Sequence, residues 1–220
     1  MTTATTELET IQREVETHGH GRVPRELRRR QILAIAEDLF VERGYAAASM
    51  DDLATRIGVS KPVIYEIVGR KDVVFEACVG RVADALAAHV AAAVAGAGPA
   101  DEHAGLRAGA LAWFDFIGER RGLWEALLSS RDVPTTEAVE SIRVRQDRWV
   151  ATHLVASAEA RGRPVDETLA GAVATAMNGA FEALGRWWHD HPHRSASELA
   201  DLYTDLMLPG LTSLLDVADR

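Results

Sequence analysis

The sequence predicts an all-α protein, with an N-terminal three-helix helix-turn-helix domain followed by a larger helical body. Three observations predict it. Apolar residues recur at three- and four-residue steps from Leu27 nearly to the C-terminus, with no alternating strand pattern and no internal repeat. Between Ser49 and Val68, two short helical segments flank a glycine turn, which is the layout of a helix-turn-helix. Charge is unevenly divided: residues 1–21 carry net −3, residues 22–72 net +2 and residues 73–220 net −8. A small basic segment joined to a larger acidic one indicates two tasks on one chain.

Residues 1–21 are rich in Thr and Glu with scattered apolar positions, and they are predicted to be a mobile tail. A short helix over Glu7 to Glu16 would have no evident partner. Residues 22–72 form the helix-turn-helix domain. From Pro24 onward Leu27, Ile32, Ile35, Ala36, Leu39 and Phe40 keep helical spacing until Gly44 stops it. Ser49-Met-Asp-Asp52 starts a second helix, because a serine oxygen can accept a free first-turn N–H and an acid three residues on reinforces the start. That helix ends at Gly58. Ser60 caps a third, whose Pro62 sits where an N–H has no intrahelical partner. Leu53, Ala54, Ile57, Val59, Ile64 and Val68 would lock this pair onto the first helix. A generic helical hairpin has the same pattern, but helices this short are unstable alone. Fitting the second into a groove accounts for their length.

Residues 73–220, the body, are helix-like almost throughout. One long helix is predicted from Asp72 to about Val94, ended by Gly96-Ala-Gly-Pro99. Further helices are predicted over 103–121, 122–130, 136–161, 165–189 and 196–215. Arg161-Gly-Arg-Pro164 and His191-Pro-His-Arg-Ser195 mark turns.

Composition narrows the function. With 47% hydrophobic and 26% charged residues, the chain can build a core and is not a disordered or low-complexity polymer. A single cysteine, Cys78, excludes a disulfide framework and multi-cysteine metal clusters and suits a reducing cytoplasm. No apolar block opens the chain, and the longest uncharged stretch, Ala85 to Ala100, is alanine-rich and too short to span a bilayer. A cytoplasmic protein with no membrane partner is expected.

The segment from about Arg28 to Phe75 resembles the DNA-binding domain of the tetracycline-repressor (TetR) family of bacterial regulators. The resemblance rests on Ile32-Leu33-x-x-Ala36-x-x-Leu39-Phe40, Gly44-Tyr45, Ser49-Met50, Asp52-Leu53-Ala54, Ile57-Gly58-Val59-Ser60, Ile64-Tyr65 and Lys71-Asp72 at the family's spacing. It implies a three-helix DNA-binding head, a ligand-sensing helical body and a homodimer. Glu66-Ile67-Val68 departs from the family, which usually shows a polar or aromatic residue, then His or Tyr, then Phe. An acid near phosphate weakens binding unless it meets a base or an arginine.

The second helix of a helix-turn-helix enters the major groove, and its N-terminal residues meet base edges. By that geometry and by family position, Lys61, Pro62 and Val63 are the base-facing candidates. Ser49, Ser60, Tyr65 and Lys71 are candidate phosphate ligands, with helix capping as the plain alternative for the two serines. Arg22, Arg25, Arg28, Arg29 and Arg30 precede the first helix, either as a solvated start or as an arm along the DNA backbone.

The segment 165–189 is apolar over too wide an arc for a monomer's surface. Leu169, Val173, Ala176, Ala180 and Leu184 form one stripe, and Ala172, Met177, Phe181 and Trp188 another. Gly171, Ala174, Gly179 and Ala183 would permit close helix approach. Leu199, Leu202, Tyr203, Leu206 and Leu214 supply a stripe on 196–215. A homodimer through these two helices is expected, with intramolecular core as the alternative. Trp113, Phe116, Trp149, Met177 and Phe181 are candidate walls of an effector pocket between 103–121, 136–161 and 165–189, with His153 and Asn178 to orient a small, partly hydrophobic molecule. His189, His191 and His193 alternate in a Pro-containing turn, not at the i, i+4 spacing of helical metal ligands, so no metal and no cofactor is expected. Cys78 on an alanine-rich helix reads as a small buried hydrophobe.

A ligand-responsive transcriptional repressor, released from a palindromic operator, fits these features. A helix-turn-helix retained only for protein interaction is the alternative. An all-helical enzyme has less to support it, since no nucleophile elbow, phosphate-cradling glycine loop or carboxylate–histidine set appears in the sequence.

Overall fold

The computed structural model describes residues 3–18, 23–98, 101–119, 137–160, 162–163 and 165–217. Among them lie α1 (Thr3–Thr17), α2 (Arg25–Ala47), α3 (Met50–Ile57), α4 (Lys61–Ile67), α5 (Lys71–Ala97), α6 (Glu102–Glu119), α7 (Glu137–Ala160), α8 (Glu167–Asp190) and α9 (Ala196–Val217), and no strand. Arg22, Trp124 and the predicted helix over 122–130 lie outside the described residues. The remaining predicted helices are found within a few residues of their expected bounds.

The chain divides into two compact units, one holding the described residues of Met1–Val82 and Glu119–Val139, the other those of Ala83–Gly118 and Glu140–Arg220. In the first, the head, Ile32, Ile35, Ala36, Leu39 and Phe40 of α2 are buried with Leu53 and Ala54 of α3 and Ile64 of α4. Ile57, Val59 and Val68 are half-buried around them. α2 packs on both short helices, which pack on each other. Val74, Phe75, Cys78 and Val79 of α5 are also buried. Phe75 meets Phe40 edge-on at 5.1 Å and Tyr45 at 4.8 Å. Gly44, at φ 72 and ψ 167, takes a backbone conformation closed to L side chains, and it breaks the helical geometry of α2 where the sequence predicts a stop.

The N-terminus differs from its predicted tail. Thr3–Thr17 is helical and packs on α2, with Ile11 wholly buried and Leu8 and Val15 half-buried on the same face. Glu14 bonds Arg30 at 3.2 Å. The signal was present in the spacing of Leu8, Ile11 and Val15, one apolar stripe of a helix. The partner it lacked is α2. Arg25, Arg28, Arg29 and Arg30 likewise lie within the first turns of α2 and form no separate arm.

In the body, α6 buries Ala110, Ala112, Trp113, Phe114, Phe116 and Ile117, and α8 buries Ala170, Ala174, Met177, Gly185 and Trp188. α9 packs on α8 and contributes Leu199, Ala200, Tyr203 and Thr204 to the interior. Leu199, Tyr203 and Ala174 are therefore core within one chain and not part of an outward stripe. Ala172, Ala176, Gly179 and Ala183 on α8, and Leu202 and Leu206 on α9, are exposed. The side chain of Leu214 lies outside the described ones.

By length and composition alone α5 could cross a membrane. It carries Lys71, Asp72, Glu76, Arg81 and Asp84 in its first half, and it buries Val74, Phe75, Cys78 and Val79 in the head and Ala83 and Leu86 in the body.

Candidate nucleic-acid interface and effector cavity

Each short helix of the head starts from a serine. Ser49 Oγ accepts the N–H of Asp52 at 3.0 Å and donates its proton to the Asp52 carboxylate at 2.7 Å, which also accepts from Arg43 at 2.8 Å. The Ser49 hydroxyl, followed by the Arg43 charge, holds the Asp52 carboxyl below its ordinary range. α3 ends at Gly58, whose N–H returns to the Ala54 carbonyl at 3.0 Å. Ser60 starts α4 without a side-chain cap bond, Pro62 occupies the first turn, and Ile64 faces the core. Pro62 and Tyr65 are exposed, and Lys61 and Val63 half-exposed.

Cations and carboxylates of the head are extensively paired. Lys61 Nζ donates to Asp51 Oδ2 at 2.9 Å, and this bond raises the lysine's pKa. Arg56 grips Glu42 through both terminal guanidinium nitrogens, Nη1 and Nη2. Lys71 donates to the Ala46 carbonyl at 3.2 Å, lies 4.5 Å above the Tyr45 ring, and has its pKa lowered by burial. Arg25 donates to the backbone carbonyl of Glu66 at 2.8 Å, so a guanidinium stands at the acid that departs from the expected pattern.

The body contains a half-open cavity of about 800 Å³. Its wall is largely apolar: Val90, Val94 and Ala95 from α5, Leu106, Gly109 and Ala110 from α6, Trp149, Val150 and Leu154 from α7, Leu169, Val173, Met177 and Phe181 from α8, and Leu208 and Leu211 from α9. The polar lining comes from Asp101, Glu102, Trp149, His153 and Ser157. Nδ1 of His153 donates to the Trp149 carbonyl at 2.8 Å, which leaves Nε2 as the acceptor of the neutral ring. A concave, largely apolar volume of this size, with few polar groups, is the usual form of a small-molecule site.

Two family sequence models match the chain. "Bacterial regulatory proteins, tetR family" covers residues 32–78, and "Tetracyclin repressor-like, C-terminal domain" covers residues 102–210. A TetR/AcrR-family regulator from Thermobifida fusca is 30% identical over 83% of this chain and 97% of its own, with a TM-score of 0.60. The chain belongs to the TetR family. A TetR-like regulator from Rhodococcus sp. RHA1 is 29% identical over 87% of this chain and 99% of its own, with a TM-score of 0.61. The HTH-type transcriptional activator FasR of Mycolicibacterium smegmatis is 43% identical over 97 residues. That match spans 44% of this chain and 43% of FasR, less than half of either protein. As a TetR-type transcriptional regulator with a DNA-binding domain, the protein is not an enzyme.

Within this TetR fold the predicted residues separate into groups. Ser60, Lys61, Pro62, Val63 and Tyr65 gather along α4. Ser49 and Lys71 lie elsewhere in the head, engaged in the α3 cap and the turn after Gly44. Trp149, His153, Met177 and Phe181 line one cavity. Trp113 is not among the lining residues and stacks on Phe181 at 4.9 Å. Phe116 is buried near His89, with rings 5.9 Å apart. Asn178 donates to Asp147 at 2.6 Å, tying α8 to α7. Sequence reasoning missed Asp101, Glu102 and the contributions of α5 and α9 to the wall, because alanine, valine and leucine spacing is the same for core and cavity. It also missed Asp51, whose pairing with Lys61 joins residues ten apart in sequence. Cys78 is buried with its thiol donating to the Leu33 carbonyl at 3.6 Å, and burial pushes its pKa up, so it packs as a hydrophobe.

Proposed function

We propose that this TetR-family protein is a ligand-responsive repressor, released from a palindromic operator by a small, partly hydrophobic molecule. The observation that carries the reading is a largely apolar cavity of about 800 Å³ in the body of a chain whose head presents α4 with Pro62 and Tyr65 exposed. Residues 22–72 then serve as the DNA-binding domain and 73–220 as the effector-binding and dimerisation domain, in the cytoplasm. Lys61, Pro62 and Val63 meet base edges, while Tyr65 and Ser60 meet phosphate. Ser49 and Lys71 support binding indirectly, by fixing the start of α3 and the turn after Gly44.

Trp149, His153, Met177 and Phe181 contact the effector. The lining carboxylates of Asp101 and Glu102, with no lysine or arginine among the lining residues, favour a neutral or cationic molecule over an anion. The early turns of α5 are buried in the head, while its Val90, Val94 and Ala95 line the cavity. An effector that binds two arrangements of this helix unequally shifts their populations by that difference. The exposed small residues of α8, with Leu202 and Leu206 of α9, suit a four-helix interface with a second copy. A two-fold dimer requires operator half-sites near a whole number of helical turns apart.

Transcriptional activation is the second reading, and the name of the activator FasR favours it. One experiment tests both. Purified protein is titrated onto the DNA upstream of its own gene at two salt concentrations, and transcription from that promoter is followed with and without protein. Saturable binding that weakens steeply with salt establishes real phosphate contacts. Falling transcript then supports repression and rising transcript supports activation. Binding no better than to random DNA there, and no enriched sequence in a selection from random DNA, would overturn DNA binding in favour of a protein-interaction role.

A further inference from the structure

Lys61 begins α4 and is half-exposed, yet its ammonium is held by a residue on another helix. Nζ lies 2.9 Å from Oδ2 of Asp51, in the first turn of α3. The neighbouring acid, Asp52, is committed to the cap of α3 through Ser49 and to Arg43. Two consecutive carboxylates thus have separate tasks, one closing a helix end and the other meeting the base-facing lysine. Asp51 is 75% exposed and Lys61 40% exposed, so neither is fixed by packing. Exposed ion pairs contribute little to stability, so beyond favouring the N-terminus of α3 with its charge, Asp51 gains little for folding from its bond to Lys61.

We propose that Asp51 is a specificity-determining residue, which positions Lys61 and reads a G·C base pair together with it. The inference rests on the reading of Lys61 as a base contact. An ammonium has three N–H donors on a flexible four-carbon stem. The bond to Asp51 uses one donor, fixes the stem and leaves two donors. Across the major groove a G·C pair presents N7 and O6 as adjacent acceptors and then the N4 amino donor of cytosine. Two N–H groups beside a carboxylate meet that order of acceptor, acceptor, donor. An A·T pair places its amino donor between two acceptors, so the two lysine donors find no adjacent acceptors. The carboxylate also repels phosphate oxygens, which discourages Lys61 from settling on the backbone as a sequence-blind contact. Charge complementarity of this kind sharpens discrimination more than it raises affinity.

The test is selection from random DNA, followed by measured affinities, for the full-length protein, Lys61→Ala, Asp51→Asn and Asp51→Glu. The unmodified protein should select G·C at one position of each half-site. Lys61→Ala should reduce that preference about ten-fold. Asp51→Asn should reduce it comparably while binding to random DNA rises, and the slope of log affinity against log salt should steepen by about one as Lys61 moves to phosphate. Asp51→Glu, which keeps the carboxylate, should retain most of the preference. Loss of preference in Lys61→Ala with none in Asp51→Asn would sink the role of Asp51 and leave the recognition helix intact. Unchanged preference in both variants would overturn the assignment of Lys61 itself. Selection of A·T at the Lys61-dependent position would overturn the proposed base pair.

Discussion

The rings of Phe181 and Tyr203 stack with centroids 3.8 Å apart and planes within 13°, joining the cavity wall on α8 to the buried face of α9. The Tyr203 hydroxyl donates to the Met177 carbonyl at 3.3 Å, and burial raises the phenol's pKa far enough to keep it protonated and donating. Removing the ring and removing the hydroxyl should therefore differ. Phe181→Ala is expected to cost about 3 kcal/mol, the low end for such truncations because one face of the ring borders the cavity. Tyr203→Phe should cost about 1 kcal/mol, the net value of one hydrogen bond. Urea unfolding of both variants checks the order.

The outward faces of α8 and α9 lead to a second expectation. Leu206 is 59% exposed and Leu202 42% exposed, while Tyr203 is buried and Phe181 is half-buried against it on the cavity wall. Leu206→Glu should yield monomers by light scattering with little change in helical content. Phe181→Glu would unfold the body and say nothing about assembly. A dimeric Leu206→Glu protein would place the interface on another surface.

Gly118 is held by a close approach. A Cβ there would lie 2.8 Å from Cη2 of Trp188, whose ring is buried and whose Nε1 donates to the Arg194 carbonyl at 2.8 Å. The indole has little freedom to retreat. Gly118→Ala is expected to destabilise the body by about 1–3 kcal/mol, as overpacking does. Replacing Trp188 with a smaller residue in the same chain should relieve part of that loss, and a thermal-melt series would reveal it.

The α3 cap makes part of the head's stability depend on acid. The Asp52 carboxyl is held below its ordinary value of 3.8, so its contribution is complete above that value and is lost as pH falls through the lower folded value. Asp52→Asn should lower the urea midpoint at pH 7, and the gap from the unmodified protein should begin to narrow near pH 3.8 and close only at lower pH, through the folded value. Ser49→Ala should cost about 1 kcal/mol, the usual value of a cap. If Ser49 acts only as a cap, the folded variant should bind operator DNA as tightly as the unmodified protein; a loss of affinity at full folding would make it a phosphate ligand as well.

Much of the head could be read directly from sequence. Gly44, Ser49, Gly58 and Pro62 are local devices whose effect depends on backbone sterics and on nearby N–H groups, so their meaning survives without knowing the fold, whereas Ser60 stands at the start of α4 without the side-chain cap bond expected of it. The stripe from Ile32 to Phe40 was similarly plain. The body gave less away. Leu199 and Tyr203 point inward while Leu202 and Leu206 point outward, on one helix and within one apolar run. Periodicity assigns them to an apolar arc, but only the position of α8 divides that arc between core and surface.

The sequence alone determined the all-helical class, the helix-turn-helix and the Ser49 cap, because each follows from short-range spacing, and its motifs carried the resemblance to the family. Tertiary structure decided the rest. It made Thr3–Thr17 a helix by supplying α2 as a partner for Ile11, and it joined Lys61 to Asp51 across two helices. It also set Trp149, His153, Met177 and Phe181 around one cavity while turning Asn178 to Asp147. Apolar residues carry no directional information of their own. Which of them line a void, fill a core or face outward is fixed only when the helices pack.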